Sequence, residues 1–311
     1  MGEPSQPSET DLRHRLVIAG VETAFIAAGA ESDHTVVFVH GNPGSGDSWR
    51  GLIDSVAAFA RCIAPDMPGY GQSDKPADFE YTIDGYARHL GALLETLDTA
   101  SIHIVGHDLG GVWGLAWAAS HPRQLASLTL MSIGALPGYR WHRYARMYRI
   151  PLLGELVLRG ATRRAVAPVL GRGSQHAPPE WFVDEVVRQY QDPGTQNAVL
   201  AFYRATNDLG ASTAAAGAAL RDADPATLVI WGAGDPYVPV RFAELQREFF
   251  PRAEVVVLPT SGHWPLVDDP KTVTAAVVAF LRKQIRSQDP PSGPALGRPS
   301  SPHVPPSISA S

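Results

Sequence analysis

The stretch VGHDLGG, residues 105–111, follows the apolar run SIHI and leads into VWGLAWAAS. Its frame, Gly106-His107-Asp108-Leu109-Gly110, has small residues on either side of a central one. That spacing marks a sharp strand-to-helix turn that exposes its central side chain. Serine is the usual occupant of such a turn, and here the position holds Asp108. A carboxylate there is ionised at neutral pH and needs no base to make it nucleophilic.

Outward from this turn, short β-branched runs alternate with helical patterns. Residues 15–29 read as two strands with a turn, and 35–41, 61–69, 101–107, 125–132, 227–235 and 253–259 as further strands. Most are nearly continuous apolar runs, as expected of strands covered on both faces of a parallel sheet. Residues 48–60, 81–97, 111–122 and 271–285 carry helical spacing between them. The alternation predicts an α/β fold, a doubly wound and mostly parallel sheet with right-handed crossovers. It breaks once. Residues 135–222 hold no strand pattern, which predicts a helical cap over the C-terminal edge of the sheet, where open α/β sheets bind ligands. The expected organisation is a core of residues 13–134 and 223–286, the cap between its two parts, and polar tails at 1–12 and 287–311. Both tails are expected to be disordered, the second being rich in Pro and Ser.

Composition bounds the function classes. Acidic residues outnumber Lys and Arg, 31 to 26, which gives no sign of a nucleic-acid partner. The single cysteine, Cys62, excludes an internal disulfide and a thiol-rich metal site. The first residues lack the apolar region of a signal peptide, and Gln6 stands where a myristoylation signal needs Ser or Thr. No apolar run approaches the roughly 20 residues that span a bilayer. The expectation is a cytoplasmic protein without cofactor, acting on a small molecule, with neither membrane nor nucleic acid as partner and a homo-oligomer left open.

Four motifs fall at predicted strand ends, in loops that converge on one edge: HGNPGSGDSW (40–49), DMPGYGQSDKP (66–76), GHDLGG (106–111), and the late pair WGAGDP (231–236) and TSGHWP (260–265). Their order over residues 15–285 resembles the α/β-hydrolase fold superfamily. The aspartate at the elbow narrows the resemblance to the branch that holds epoxide hydrolases and dehalogenases. In that branch the aspartate attacks an sp³ carbon and leaves an alkyl-enzyme ester for water to hydrolyse. The resemblance implies Asp108 as nucleophile, His263 as general base and Asp235 as the acid that orients it. Backbone N–H groups of Asn42 and Leu109 are implied as donors to the oxyanion or halide. No carboxylate follows the strand 125–132, where the rival acid of such a triad would sit. His40, His107 and Asp66 read as residues that fix their loops.

The electrophile divides two readings. Epoxide opening releases an alkoxide and needs a proton donor; the family uses two cap tyrosines for it. Tyr203, in the Tyr-Arg context of AFYRATND, matches one, and Tyr144 is taken for the other against Tyr139 and Tyr148. Haloalkane dehalogenases place a Trp directly after the nucleophile and often an Asn in the HGNP loop. Asn42 is present, but Leu109 donates no side-chain hydrogen bond, so half of a halide clamp is missing unless Trp49, Trp141 or Trp181 replaces it. The leading expectation is an epoxide hydrolase. A dehalogenase with the same triad is second, and a non-catalytic ligand-binding protein on this scaffold third. The basic, aromatic segment YRWHRYARMYR (139–149) could also draw an anionic substrate, against the plainer reading of a solvated helix face.

Overall fold

The computed structural model describes residues 12–30 and 32–288. The expected disorder of the tails therefore concerns residues outside those described, apart from their inner ends. The first strand begins at Leu12 and the last helix runs to Gln288.

Strands β1 (Leu12–Ile18) and β2 (Val21–Ala28) form an antiparallel hairpin turned through Ala19 and Gly20, both at positive φ. After them come β3 (His34–Val39), β4 (Arg61–Pro65), β5 (Ser101–His107), β6 (Leu125–Met131), β7 (Thr227–Gly232) and β8 (Glu254–Leu258). The eight strands make one sheet in the order β1-β2-β4-β3-β5-β6-β7-β8, parallel from β4 onward. This is the α/β sheet expected from the alternation of runs.

Every residue of β3 and β7 is buried, because helices cover both faces. The strand period of two decides which core each side chain joins. Val36 and Phe38 pack on the face with α1 (Arg50–Val56), whereas Val37 and Val39 pack on the face with α2 (Ile83–Thr96) and α3 (Leu109–Ser120). Residues 48–60 do not form one helix: a 3-10 turn, Gly46–Trp49, precedes α1, which stops at Val56.

Between β6 and β7 lie six helices and no strand: α4 (Arg143–Arg149), α5 (Leu153–Arg159), α6 (Arg163–Gly173), α7 (Glu180–Gln191), α8 (Pro193–Ala205) and α9 (Leu209–Leu220). Aspartates start the last two. Asp192 accepts from the N–H of Thr195 and Asp208 from that of Ala211, each at 2.8 Å. Such caps satisfy N–H groups that the first helical turn leaves open. The apolar faces of α5 to α8 join the larger core through Leu158, Val166, Leu170, Phe182, Val186 and Phe202. The chain then returns to the sheet and ends with α10 (Arg241–Leu245), α11 (Pro265–Asp268) and α12 (Pro270–Gln288), the last packed with α1. No helix among the described residues is long and apolar enough to cross a membrane.

Candidate active site

Asp108 sits between the end of β5 and the start of α3 with φ 49° and ψ −130°, a conformation that non-glycine residues rarely adopt. The turn closes only because its neighbours are glycines. A Cβ on Gly106 would lie 2.5 Å from the Cα of Gly111, and one on Gly110 would lie 2.1 Å from the carbonyl oxygen of Val39. The small-x-Asp-x-small frame is thus a packing requirement, and its product is a carboxylate lifted off the sheet edge.

The HGNP loop closes over that carboxylate. The backbone N–H of Asn42 donates to Asp108 Oδ2 at 2.9 Å. A Cβ on Gly41 would fall 2.6 Å from the same oxygen, so only glycine allows the approach. The other implied donor, Leu109, opens α3; its N–H has no hydrogen-bond partner among the described residues, and its side chain is buried in the core. Asp108 lies at the helix start, where open N–H groups and the helix dipole favour negative charge.

His263 comes from the loop after β8 and Asp235 from the loop after β7. Nδ1 of His263 lies 2.8 Å from Asp235 Oδ2, and its Nε2 lies 3.6 Å from Asp108 Oδ1. Asp235 Oδ1 accepts from the N–H groups of Tyr237 and Val238, at 2.8 and 2.9 Å, so its other oxygen is fixed toward the imidazole. The His263 backbone is tied at both ends: its N–H donates to Gly173 at the end of α6, and its carbonyl accepts from His107 Nε2 at 2.7 Å. Burial alone would pull the imidazole down, but Asp235 and Asp108 outweigh it and raise its pKa to about 10. For Asp108, burial pushes up, and His263, His107 and the Asn42 N–H together bring the carboxyl down to about 2. His263 and Asp108 thus each favour the charged form of the other.

The remaining titratable residues near the motifs hold loops. His40 donates from Nδ1 to Gly41 O and accepts at Nε2 from the Met67 N–H. Asp66 accepts from the N–H groups of Gly46 and Gln72 and from Arg13.

Above Asp108 the cap encloses a cavity of about 140 Å³. Its apolar wall comes from α5 to α7, including Val157, Leu158, Val166, Val169, Leu170 and Val186. Its polar side comprises Asp108, His263, His142, the Trp264 indole, several phenols and the side chain of Asn42. Tyr203 OH lies 3.5 Å from Asn42 Nδ2, and Tyr190 OH lies 3.5 Å from Asn42 Oδ1. Burial raises both phenols well above their ordinary pKa, and for Tyr203 the charge of Asp108 adds to this. Tyr144 lines the same cavity, but its hydroxyl accepts from Arg172 at 3.3 Å and does not meet Asn42. One turn on and on the same helix face, Tyr148 also lines the cavity but packs deeper, edge-on against Tyr203 with ring centroids 5.3 Å apart. Tyr139 is turned away, its hydroxyl on the carbonyl of Tyr237. Tyr190 escaped the sequence reading. Its one signal was position: with Gln189 it is buried on the inner side of α7.

Neither Trp49, Trp141 nor Trp181 lines the cavity. Trp141 donates its indole N–H to Thr206 O, and Trp181 is 62% exposed. Among the described residues no group of three or more His, Cys, Asp or Glu is placed to hold a metal ion.

The model of the alpha/beta hydrolase fold family matches residues 34–270. The chain belongs to the α/β-hydrolase fold family. A haloalkane dehalogenase of Mesorhizobium japonicum is 39% identical over 142 residues, 45% of this chain and 45% of that one, so this match spans less than half of either. A cis-3-alkyl-4-alkyloxetan-2-one decarboxylase of Shewanella oneidensis is 30% identical over 297 residues, 86% of this α/β-hydrolase and 88% of the relative. Among solved structures, a loop variant of the haloalkane dehalogenase DbeA from Bradyrhizobium elkanii superposes with TM-score 0.77 at 26% identity, covering 89% of this chain and 99% of that one. The epoxide hydrolase CorEH shares the fold, with TM-score 0.76 at 18% identity over 88% of this chain and 99% of its own. The family match and the likeness to haloalkane dehalogenases support the superfamily's aspartate-nucleophile branch.

Proposed function

We propose that the protein is a cofactor-independent epoxide hydrolase working through an ester on Asp108. The observation that carries this reading is the pair of buried phenols, Tyr203 and Tyr190, on the two ends of the Asn42 amide. They are buried phenols, kept protonated by burial, in the same cavity as the Asp108 carboxylate.

In the first step an Asp108 oxygen attacks a ring carbon of the epoxide. The C–O bond breaks, and the ring oxygen takes a proton from a phenol, Tyr203 in the first place. Because this consumes the charge of Asp108, His263 loses one of the two carboxylates that hold its proton. The phenolate regains its proton from the imidazolium, and neutral His263 becomes the base for the second step. There it takes one proton from a water that attacks the ester carbonyl. The oxyanion forms on Asp108, where the N–H of Asn42 already donates and that of Leu109 is free to. Collapse expels the diol with the water's second proton, regenerates the carboxylate and leaves the first proton on His263.

The second reading is a haloalkane dehalogenase with the same triad. Two observations favour it: Asn42 at the cavity floor, and the dehalogenases among the relatives. Against it, Leu109 stands directly after the nucleophile and none of Trp49, Trp141 and Trp181 lines the cavity, so the indole there is that of Trp264, in the loop that carries His263. The decarboxylase relatives act, by name, on a four-membered ring with a C–O bond, a strained oxygen ring like the epoxide.

The test is a panel assay on purified protein. Diol formation from a styrene oxide-sized epoxide, with no halide release from haloalkanes, is the expected result. A benzene-sized molecule fits a cavity of roughly 150 Å³. Halide release without diol formation would move the function to the second reading, and neither activity would leave a binding protein.

A further inference from the structure

The first half of the cap departs from the rest of the chain in charge. Residues 139–179 contain eight arginines and a single acidic residue, Glu155, in a protein whose net charge is −5. Glu155 is already engaged by Arg204 in a two-pronged pair. Arg140, Arg143, Arg146, Arg159, Arg164 and Arg172 are exposed, and none of them meets a carboxylate among the described residues. Such a set of cations is not an internal salt-bridge network. It is a field that points outward.

Among the described residues, the same segment carries the largest cluster of exposed aliphatic side chains. Ile150 is 51% exposed, Leu152 83% and Leu156 69%. Leu152 and Leu156 are four residues apart on α5 and its N-terminal flank, so they share one face. Leu152 also has φ 69°, a conformation unfavourable for a bulky residue. The fold thus holds a leucine out in water from a strained backbone position. The face continues to Gly160, four residues beyond Leu156. Gly160 and Ala165 are exposed and also line the cavity above Asp108, so the cavity reaches the surface beside this patch.

Apolar side chains ringed by arginines are the composition that rests in a lipid headgroup layer, aliphatic groups in the acyl boundary and cations on phosphates. We propose that the α4–α5–α6 face of the cap docks on an anionic phospholipid bilayer through Ile150, Leu152, Leu156 and the arginines around them. The lack of a spanning segment bears on crossing a bilayer and not on resting against one. Charge complementarity selects this occupant: a second copy of the chain would set one arginine field against another.

Vesicle co-sedimentation of the full chain tests this without reference to its catalytic activity. The protein should pellet with vesicles of equal parts phosphatidylcholine and phosphatidylglycerol and stay in solution with phosphatidylcholine alone. Binding should fall when salt rises from about 0.1 M to about 1 M, as the Debye length shrinks from about 10 Å to about 3 Å. Leu152→Asp with Leu156→Asp should cut binding at least tenfold at unchanged melting temperature, since both side chains are exposed. Arg146→Gln, Arg159→Gln and Arg164→Gln should each weaken it roughly fivefold. No binding to the anionic vesicles at low salt would overturn the proposal, as would full binding by the double aspartate variant. A wild-type protein that ignores vesicles but loses self-association in that variant would instead identify the face as a protein contact.

Discussion

Nε2 of His263 lies 3.6 Å from Oδ1 of Asp108, and the two side chains are only 5% and 13% exposed. The distance is long for a hydrogen bond and short for two opposite charges with little water between them. His263 is the strongest of the groups that lower Asp108, and Asp108 joins Asp235 in raising His263 against its burial.

That relationship ties stability to pH. His263 is raised from its ordinary 6.5 to about 10, so its stabilising contribution is complete below pH 6.5 and is lost as pH rises through 10. Asp108 is lowered from 3.8 to about 2, so its contribution is complete above pH 3.8 and is lost as pH falls through 2. The melting temperature should therefore fall between pH 7 and 10, and fall less in Asp108→Ala, which lacks one of the two carboxylates. Identical slopes in the two proteins would show that the pair is not coupled in this way.

Asp235 has a more specialised part. Its carboxylate holds the Nδ1–H of His263 and, with Asp108, keeps the ring charged at rest. Asp235→Asn keeps the shape and removes the charge. The His263 pKa, followed by NMR, should drop well below 10, and turnover should fall on the order of 10⁴-fold, as when a triad acid is made neutral.

The phenols separate ring opening from ester hydrolysis. Tyr203→Phe should slow epoxide opening by about 10²- to 10⁴-fold, the usual range for a positioned acid. Tyr190→Phe should slow it less, and the double variant most. Release of a pre-formed ester should be unchanged in all three. Single-turnover kinetics distinguish the steps, and a Tyr203→Phe protein with normal opening would remove that residue from the reaction.

Gly41 tests the fit of the HGNP loop. Alanine there would put a Cβ 2.5 Å from the Cβ of Asp108, which a stiff backbone cannot accommodate without moving the nucleophile. A displacement near 1 Å costs about 100-fold in rate. Gly41→Ala should show that loss in kcat while its circular dichroism spectrum stays native. A fully active variant would mean that Asp108 has more freedom than its contacts suggest.

Much of this was legible in the sequence, for physical reasons. A parallel sheet buries both faces, so β3 and β7 announce themselves as mainly apolar runs, and the elbow needs its glycines wherever it occurs. The order of the loops then brings Asp108, Asp235 and His263 together, since all three follow strands at the same sheet edge. The cap was less legible. Its helices share one amphipathic pattern, and which tyrosine points inward depends on the roll of each helix about its axis. Tyr203 had a sequence context to mark it. Tyr144 and Tyr148 differ by one turn, and only packing sends the first to Arg172 and the second to Tyr203. Tyr190 had no local mark at all; its place beside Asn42 follows from how α7 lies across the HGNP loop.

The most direct test of the Asp108 mechanism is the intact mass of His263→Gln after exposure to an epoxide substrate. Without the base, ester formation should proceed and its hydrolysis should stall. The expected result is a mass increase equal to one substrate molecule, mapped to Asp108 by peptide analysis and absent when Asp108→Ala is added. An unmodified protein under conditions where the wild type turns over, or turnover that survives Asp108→Ala, would contradict covalent catalysis by this aspartate.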